Sequence, residues 1–343
     1  MLAKFATLVV SRIDIVVIVH NFLLTSDKVM QGIFNAWCYD ATSHSIALSK
    51  CEVKPLDSGE VRVKNLCFGI NPVDWKFIES NPLVWPNGHI PGVDGVGVIV
   101  EVADDVDKSL AGKRVAYHQS LVQLGSFAEQ TVLRAERVMQ VPLVITDAVA
   151  ASLPCPMLTA WQAFRKIPTD KAEHVLVIGV GAVNKILIQL LVKANMMVDV
   201  VSKSISKDDA KSLGVSNVFR EQGRLEASYF AAFDAVGSLS ASQYVNNLQA
   251  NGHIICIQDR IESPIDPPFT KTISYHEIAL GALHQYGDAR AWRDLMAAGE
   301  NMMADIAGGK IDIETPVIFA FDECLDALKH SKYSKLKTVV ALP

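Results

Sequence analysis

The 343 residues are 50% hydrophobic and 20% charged, with a formal net charge of −5. That length suits about two domains of ordinary size, and that composition excludes disorder over most of the chain. The charge leaves no basic excess for holding a nucleic-acid backbone, so no nucleic-acid partner is expected.

Six cysteines, Cys38, Cys51, Cys67, Cys155, Cys256 and Cys324, form no Cys-x-x-Cys pair and no Cys/His spacing of a metal knuckle. This argues against a disulfide scaffold or a structural zinc and suits the reducing cytoplasm. Met1 to Lys28 looks at first like an export signal. However, Arg12, Asp14 and His20 interrupt it, and its longest clean apolar run is Ile15 to Val19. A spanning helix needs about 18–20 apolar residues and a signal peptide an unbroken apolar core before a cleavage site, so no membrane span is expected. Residues 1–29 read as an extra strand or a loose extension, with export as the alternative.

From Met30 to about Val141, short apolar runs such as Val61–Val63, Gly97–Val102, Arg114–Ala116 and Phe127–Val132 alternate with proline-bearing turns. That is the pattern of a β-rich domain with irregular loops. Thr146 then stands as an N-cap before a helix from Asp147, and a second helix follows over Leu158–Lys166. Beyond it strands alternate with helices. Strands are predicted at His174–Ile178, Val198–Val201, Phe233–Val236, His253–Ile257 and Ile278–Leu280, and helices at Ala182–Ala194 and Lys207–Leu213. Such alternation predicts a doubly wound parallel sheet. The tail reads as helices over Ala289–Ala307 and Asp322–His330 and a last strand, Thr338–Ala341.

The strand ending at Ile178 runs into Gly179-Val180-Gly181-Ala182-Val183-Asn184, a G-x-G-x-x-N loop opening a helix whose Ile186, Leu187, Leu190 and Leu191 share one face. Gly179 permits a tight turn, and Gly181 lets the backbone approach a pyrophosphate seated on the helix N-terminus. Asn184 replaces the third glycine. The next strand ends in Ser202-Lys203-Ser204 with no carboxylate at its tip, Asp199 lying inside it. A hydroxyl followed by a lysine suits a 2′-phosphate, so NADP(H) is expected rather than NAD. Lys203 and Lys207 also read as solvated loop charges.

Several ordered motifs resemble the medium-chain dehydrogenase/reductase superfamily, in its zinc-free branch of quinone oxidoreductases and alkenal (enone) reductases. They are Gly69-Ile70-Asn71-Pro72-Val73-Asp74-Trp75-Lys76, Ile90-Pro91-Gly92-Val93-Asp94-Gly95-Val96-Gly97, Gly112-Lys113-Arg114-Val115-Ala116, Gly125-Ser126-Phe127-Ala128-Glu129, Leu153-Pro154-Cys155-Pro156-Met157-Leu158-Thr159-Ala160-Trp161 and Phe233-Asp234-Ala235-Val236-Gly237. The resemblance implies a GroES-like β-rich catalytic domain, residues 30–151 with 287–343, into which a Rossmann NADP-binding domain, residues 152–286, is inserted. It also implies a homodimer. Zinc-dependent relatives carry a cysteine in the Asn71–Asp74 segment and a His-Glu pair after the Pro-Gly. Here Val93-Asp94 follows Pro91-Gly92, so no metal is expected, and hydride transfer to a quinone or enone replaces alcohol oxidation as the implied chemistry.

Asn71, Asp74 and Lys76 are carried over as residues beside the nicotinamide, and Thr159, Val236 and Gly237 as cofactor contacts. Ala182 and Val183 open the phosphate-binding helix. Tyr117 and His118 are weaker candidates for the substrate pocket, where a buried, satisfied side chain is the plainer reading. A zinc-type alcohol dehydrogenase, or a non-catalytic dinucleotide-binding sensor of the same fold, remains an alternative. Asn184 and Leu336, which stands where relatives carry glycine before Lys-x-Val, speak for the sensor.

Overall fold

The structure is a computed structural model that describes residues 32–221, 225, 228–334 and 336–343. The expectations for the first 29 residues lie outside them. Among the described residues, the first elements are an antiparallel pair, β1 (Ile33–Asp40) and β2 (Ser45–Glu52). There follow β3 (Glu60–Ile70), α1 (Pro72–Ser80), β4 (Asp94–Val102), β5 (Arg114–His118), β6 (Gln130–Arg134) and β7 (Val138–Gln140). Two helices come next, α2 (Asp147–Ser152) and α3 (Pro154–Phe164). Thr146 caps α2, its hydroxyl accepting from the Val149 N–H, which satisfies one of the orphan donors of a helix start.

The alternating region supplies β8 (His174–Ile178), α4 (Ala182–Lys193), β9 (Met197–Val201), α5 (Lys207–Ser212), β10 (Asn217–Phe219), β11 (Tyr229–Asp234), α6 (Ser238–Tyr244), β12 (Leu248–Cys256) and β13 (Ser274–Glu277). The tail supplies α7 (Leu283–Tyr286), α8 (Ala289–Ala307), β14 (Val317–Ala320), α9 (Cys324–Ser334) and β15 (Thr338–Ala341).

β10-β9-β8-β11-β12-β13 form a six-stranded sheet, parallel at every pairing. Its central strands are buried on both faces, as the helices covering a parallel sheet require. A seven-stranded sheet runs β14-β15-β3-β4-β5-β7, with β6 pairing β3 off that path. β15 lies antiparallel to β3, so Thr338 faces Ile70 and the C-terminal strand completes the first sheet. One apolar core passes from Met139 and Ala150 through Leu158 of α3 to Val175, Leu187 and Trp292, which joins the two sheets through α3.

Several strands differ from the reading of the sequence: β12 starts at Leu248 rather than His253, and β10 was not expected. β11 ends at Asp234 rather than Val236, because the Asp234 carboxylate accepts from the Val236 and Gly237 N–H groups, each at 2.8 Å, and turns the chain there. The edge strand β13 lies at Ser274–Glu277, ahead of the apolar Ile278–Leu280. The other edge, β10, has only three residues. Edge strands keep one side in solvent, so they lack the continuous apolar run that marks central ones.

Candidate active site

α1 starts on the sequence Asn71-Pro72-Val73-Asp74. Asn71 is extended, and Pro72 occupies the first helical turn, where its missing N–H costs nothing. The Asp74 carboxylate reaches back to accept from the Asn71 N–H at 2.7 Å and from the Val93 N–H at 3.2 Å. It thereby caps the helix and pins the Pro-Gly loop that leads into β4. Asp74 is fully buried, and burial, with Asp94 nearby, pushes its carboxyl up to about 7.

The Asn71 side chain turns into a second buried network. Its amide Nδ2 donates to Asp94 Oδ2 at 2.8 Å, while its Oδ1 accepts from Lys337 Nζ at 2.6 Å. Because an ammonium only donates, Lys337 fixes which end of the amide faces Asp94. Lys337 Nζ stands 3.9 Å from Asp94 Oδ2, and the Cys155 N–H donates to both Asp94 oxygens at 2.9 Å. Burial raises the Asp94 carboxyl to about 6 against the pull of Lys337. It also pushes the Cys155 thiol up, and that thiol shares a hydrogen bond with Thr159. Four distant segments thus converge: the α1 start, the β4 start, the α3 start and the residue before β15.

Of the residues singled out in the sequence, Asn71, Asp74 and Thr159 stand in or against these networks. Lys76 is half-buried on α1 with its ammonium 5.8 Å from the Trp75 ring centre, and no hydrogen bond or ion pair ties it to Asn71, Asp94 or Lys337. Tyr117 takes the plainer reading given above. It is fully buried, its hydroxyl donates to Asn65 Oδ1 at 2.7 Å and lies 2.9 Å from Thr131 Oγ1, and burial raises its pKa. Strand alternation turns it into the first sheet's core, away from the face that His118 and Asp94 share.

The glycine loop lies across from this network. Gly179 has φ +75°, and a Cβ there would come within 2.9 Å of Val236 Cγ2, so the turn requires glycine. Gly181 is the extended N-cap of α4, and a Cβ built on it would meet no atom within 4 Å. Open space there and the free N–H groups of Ala182, Val183 and their neighbours form a seat for a pyrophosphate. Asn184 is fully buried and donates from Nδ2 to the Gly179 carbonyl at 2.7 Å and the Ile178 carbonyl at 3.2 Å. Its amide therefore ties the loop to the strand where the usual third glycine would only make room. Val236 is 57% exposed and Gly237 has φ 151°, both held by Asp234.

At the end of β9 the Ser202 hydroxyl accepts from the Ser204 and Ile205 N–H groups at 3.3 Å, leaving its proton free to donate. Lys203 beside it is exposed. Arg220 was not anticipated. Its guanidinium donates to the carbonyls of Ser202 (2.7 Å) and Ile205 (2.9 Å), which holds the loop in shape and adds a second cation. Asp199 is buried and accepts from His174, Asn217 and Tyr229, so it belongs to the sheet and not to a ribose contact.

A cleft of about 200 Å³ is lined by Leu153 and Pro156 at the start of α3, Ala182 and Ile186 of α4, Glu314 and Lys337. It brings the first turn of α4 and the Lys337 side chain to one space. Asp94, Cys155 and Lys337 were not among the site residues expected. The signal for Lys337 was a cation placed directly before the mostly apolar final strand, Thr338–Ala341. Among the described residues no group of three or more His, Cys, Asp or Glu could hold a metal ion, and no helix is long and apolar enough to cross a membrane.

Residues 57–143 match the alcohol dehydrogenase GroES-like domain. The chain is 30% identical over 220 residues to the chloroplast envelope quinone oxidoreductase homolog of Arabidopsis thaliana, which covers 58% of this chain and 66% of that one. It is 30% identical over 168 residues to the 2-methylene-furan-3-one reductase of Solanum lycopersicum, 45% of this chain and 43% of that one. The matches therefore span from under half to about two thirds of these relatives. Among solved structures, the quinone oxidoreductase from Coxiella burnetii superposes with a TM-score of 0.74 at 19% identity, over 91% of this chain and 100% of that one. An alcohol dehydrogenase superfamily protein from Novosphingobium aromaticivorans gives 0.78 at 19% identity, over 90% and 100%. At that identity the likeness is one of fold.

Proposed function

The chain belongs to the medium-chain dehydrogenase/reductase superfamily, in its quinone oxidoreductase-like branch, and on that premise we propose that it is a zinc-independent, NADP(H)-dependent oxidoreductase acting on a quinone or an α,β-unsaturated carbonyl. The proposal includes a division into residues 30–151 with 287–343 and residues 152–286, and a cytoplasmic homodimer. Six free cysteines agree with a reducing compartment. The observation that carries the reading is the cleft whose walls include both Ala182, at the head of the phosphate-binding helix, and Lys337.

The glycine loop and α4 would hold the pyrophosphate, with Thr159, Val236 and Gly237 toward the nicotinamide end and Ser202, Lys203 and Arg220 at the ribose phosphate. When bound, the nicotinamide supplies a hydride to the electron-poor carbon of the substrate. The chain's own task is to orient that substrate and steady the negative charge that gathers on its oxygen. Lys337, with its side chain only 8% exposed, is a cation in a dry environment, where its field acts far more strongly than in water. Zinc independence is supported by the donor set: the Asn71 amide and Asp94 carboxylate already face the Lys337 ammonium, which would repel a second cation.

NADPH oxidation measured over a panel of quinones, enals and enones tests the reading. Turnover with at least one class is expected, and none with a saturated alcohol and NADP⁺. The opposite pattern would overturn it. Cofactor choice has its own test. Charge-assisted contacts to phosphate are worth about 1.5–3 kcal/mol, so Lys203→Ala should weaken NADPH binding roughly ten-fold and leave NADH binding unchanged. Equal losses for the two cofactors in a titration would place Lys203 back among solvated loop charges.

A further inference from the structure

We propose that His118 donates a hydrogen bond from Nε2 to the carbonyl oxygen of the substrate, and that Arg137, acting through His284, holds it in the tautomer that can do so. The inference rests on the reductase reading above.

His118 closes β5 and pairs with Asp94 across β4. Directly opposed residues of an antiparallel pair present their side chains on the same face. His118 therefore stands on the face where Asp94, Asn71, Lys337 and the Cys155 N–H converge. It is 5% exposed. Its ring is stacked on His284, with centres 5.4 Å apart.

The protons follow from the donors. Arg137 Nη1 lies 3.1 Å from His284 Nδ1, and His284 Nε2 lies 3.1 Å from His118 Nδ1. A guanidinium has only donors, so His284 Nδ1 must accept. A neutral imidazole that accepts at one nitrogen carries its proton on the other. His284 therefore donates from Nε2, His118 accepts at Nδ1, and the His118 proton sits on Nε2. That N–H has no partner among the described residues.

Both rings stay neutral. Burial pushes His284 down to about 4, the Arg137 charge adding to it, and pushes His118 down to about 3, where a second charge beside His284 and the Lys337 ammonium both oppose protonation. A neutral imidazole donates a hydrogen bond and keeps its proton, so the contact polarises the carbonyl without a proton transfer.

The relay is rigidly built. The Arg137 guanidinium lies 4.7 Å from the ring centre of Trp292, which is also 4.9 Å from the His284 ring. Trp292 is 1% exposed, and its Nε1–H donates to the Leu283 carbonyl at 3.1 Å. α7 and α8 thus fix His284, and through it the orientation of His118.

The test combines kinetics with a direct reading of the tautomers. Long-range ¹H–¹⁵N imidazole spectra of the wild-type protein should show both His118 and His284 protonated at Nε2. His118→Phe should lower kcat about 100-fold, the usual scale for removing one oxyanion donor, with the dinucleotide Kd unchanged. Arg137→Met, a change remote from the substrate, should lower kcat about ten-fold and give mixed tautomers at both rings, and Arg137→Lys should restore both. A wild-type spectrum with His118 protonated at Nδ1 would overturn the inference, as would a folded His118→Phe variant with unchanged kcat. Wild-type protein that reduces no quinone or enone would instead overturn the functional reading beneath it.

Discussion

Lys337→Met is expected to destabilise the protein by about 3–5 kcal/mol at about pH 8, because it leaves the fully buried Asp94 carboxylate without its cation. The loss should be much smaller at about pH 5. The sign follows from the two carboxyls. Burial raises Asp94 to about 6 and Asp74 to about 7, above their unfolded values near 4. The folded state therefore binds more protons than the unfolded one between about pH 4 and 7, and stability falls as pH rises through that window. Removing Lys337 raises Asp94 further, so the added cost falls on conditions where Asp94 must ionise. Urea unfolding of both proteins at the two pH values reads this. Equal losses at both would mean that the ammonium does not balance Asp94.

Gly181→Val is expected to leave the fold intact and to destroy dinucleotide binding. The residue is extended at φ −100° and nothing lies within 4 Å of its Cβ position, so the fold has room for a side chain. Losing glycine at a helix N-cap costs about 1 kcal/mol or less, which shifts the melting midpoint of a chain this size by no more than about 4 °C. The side chain would instead fill the space in front of the α4 N-terminus. Two lost phosphate contacts at about 1.5–3 kcal/mol each predict at least a 100-fold rise in the cofactor Kd. Gly179→Val should also unfold more readily, since Gly179 has φ +75° and packs against Val236. A titration in which Gly181→Val binds NADPH as the wild type does would remove the cofactor from this loop.

Much of the scaffold was legible because its signals are local. The apolar run His174–Ile178, the helix Ala289–Ala307 and the strand Thr338–Ala341 stand where periodicity and turn residues place them. The Thr146 cap and the interior position of Asp199 were equally readable. What escaped depends on contacts far apart in the chain. Asp74 drew attention through its motif, yet its contacts cap α1 and pin Val93. Lys337 meets Asn71 across 266 positions, and only the pairing of β15 with β3 brings them together. Tyr117 and His118 are adjacent, so strand alternation says that one faces the core and the other does not. Deciding which required the register of β5 against β4.

Hydride transfer is read most directly with NADPH carrying deuterium at C4, prepared as each of its two stereoisomers and turned over with an accepting quinone or enone. A dinucleotide held in one orientation between the glycine loop and the Asn71–Lys337 network presents only one face of its ring to the cleft. One isomer should therefore yield NADP⁺ free of deuterium and the other NADP⁺ that keeps it, as read by mass spectrometry. Deuterium divided between the products of both isomers, or no NADP⁺ formed with any acceptor, would contradict a hydride transfer built on this cleft.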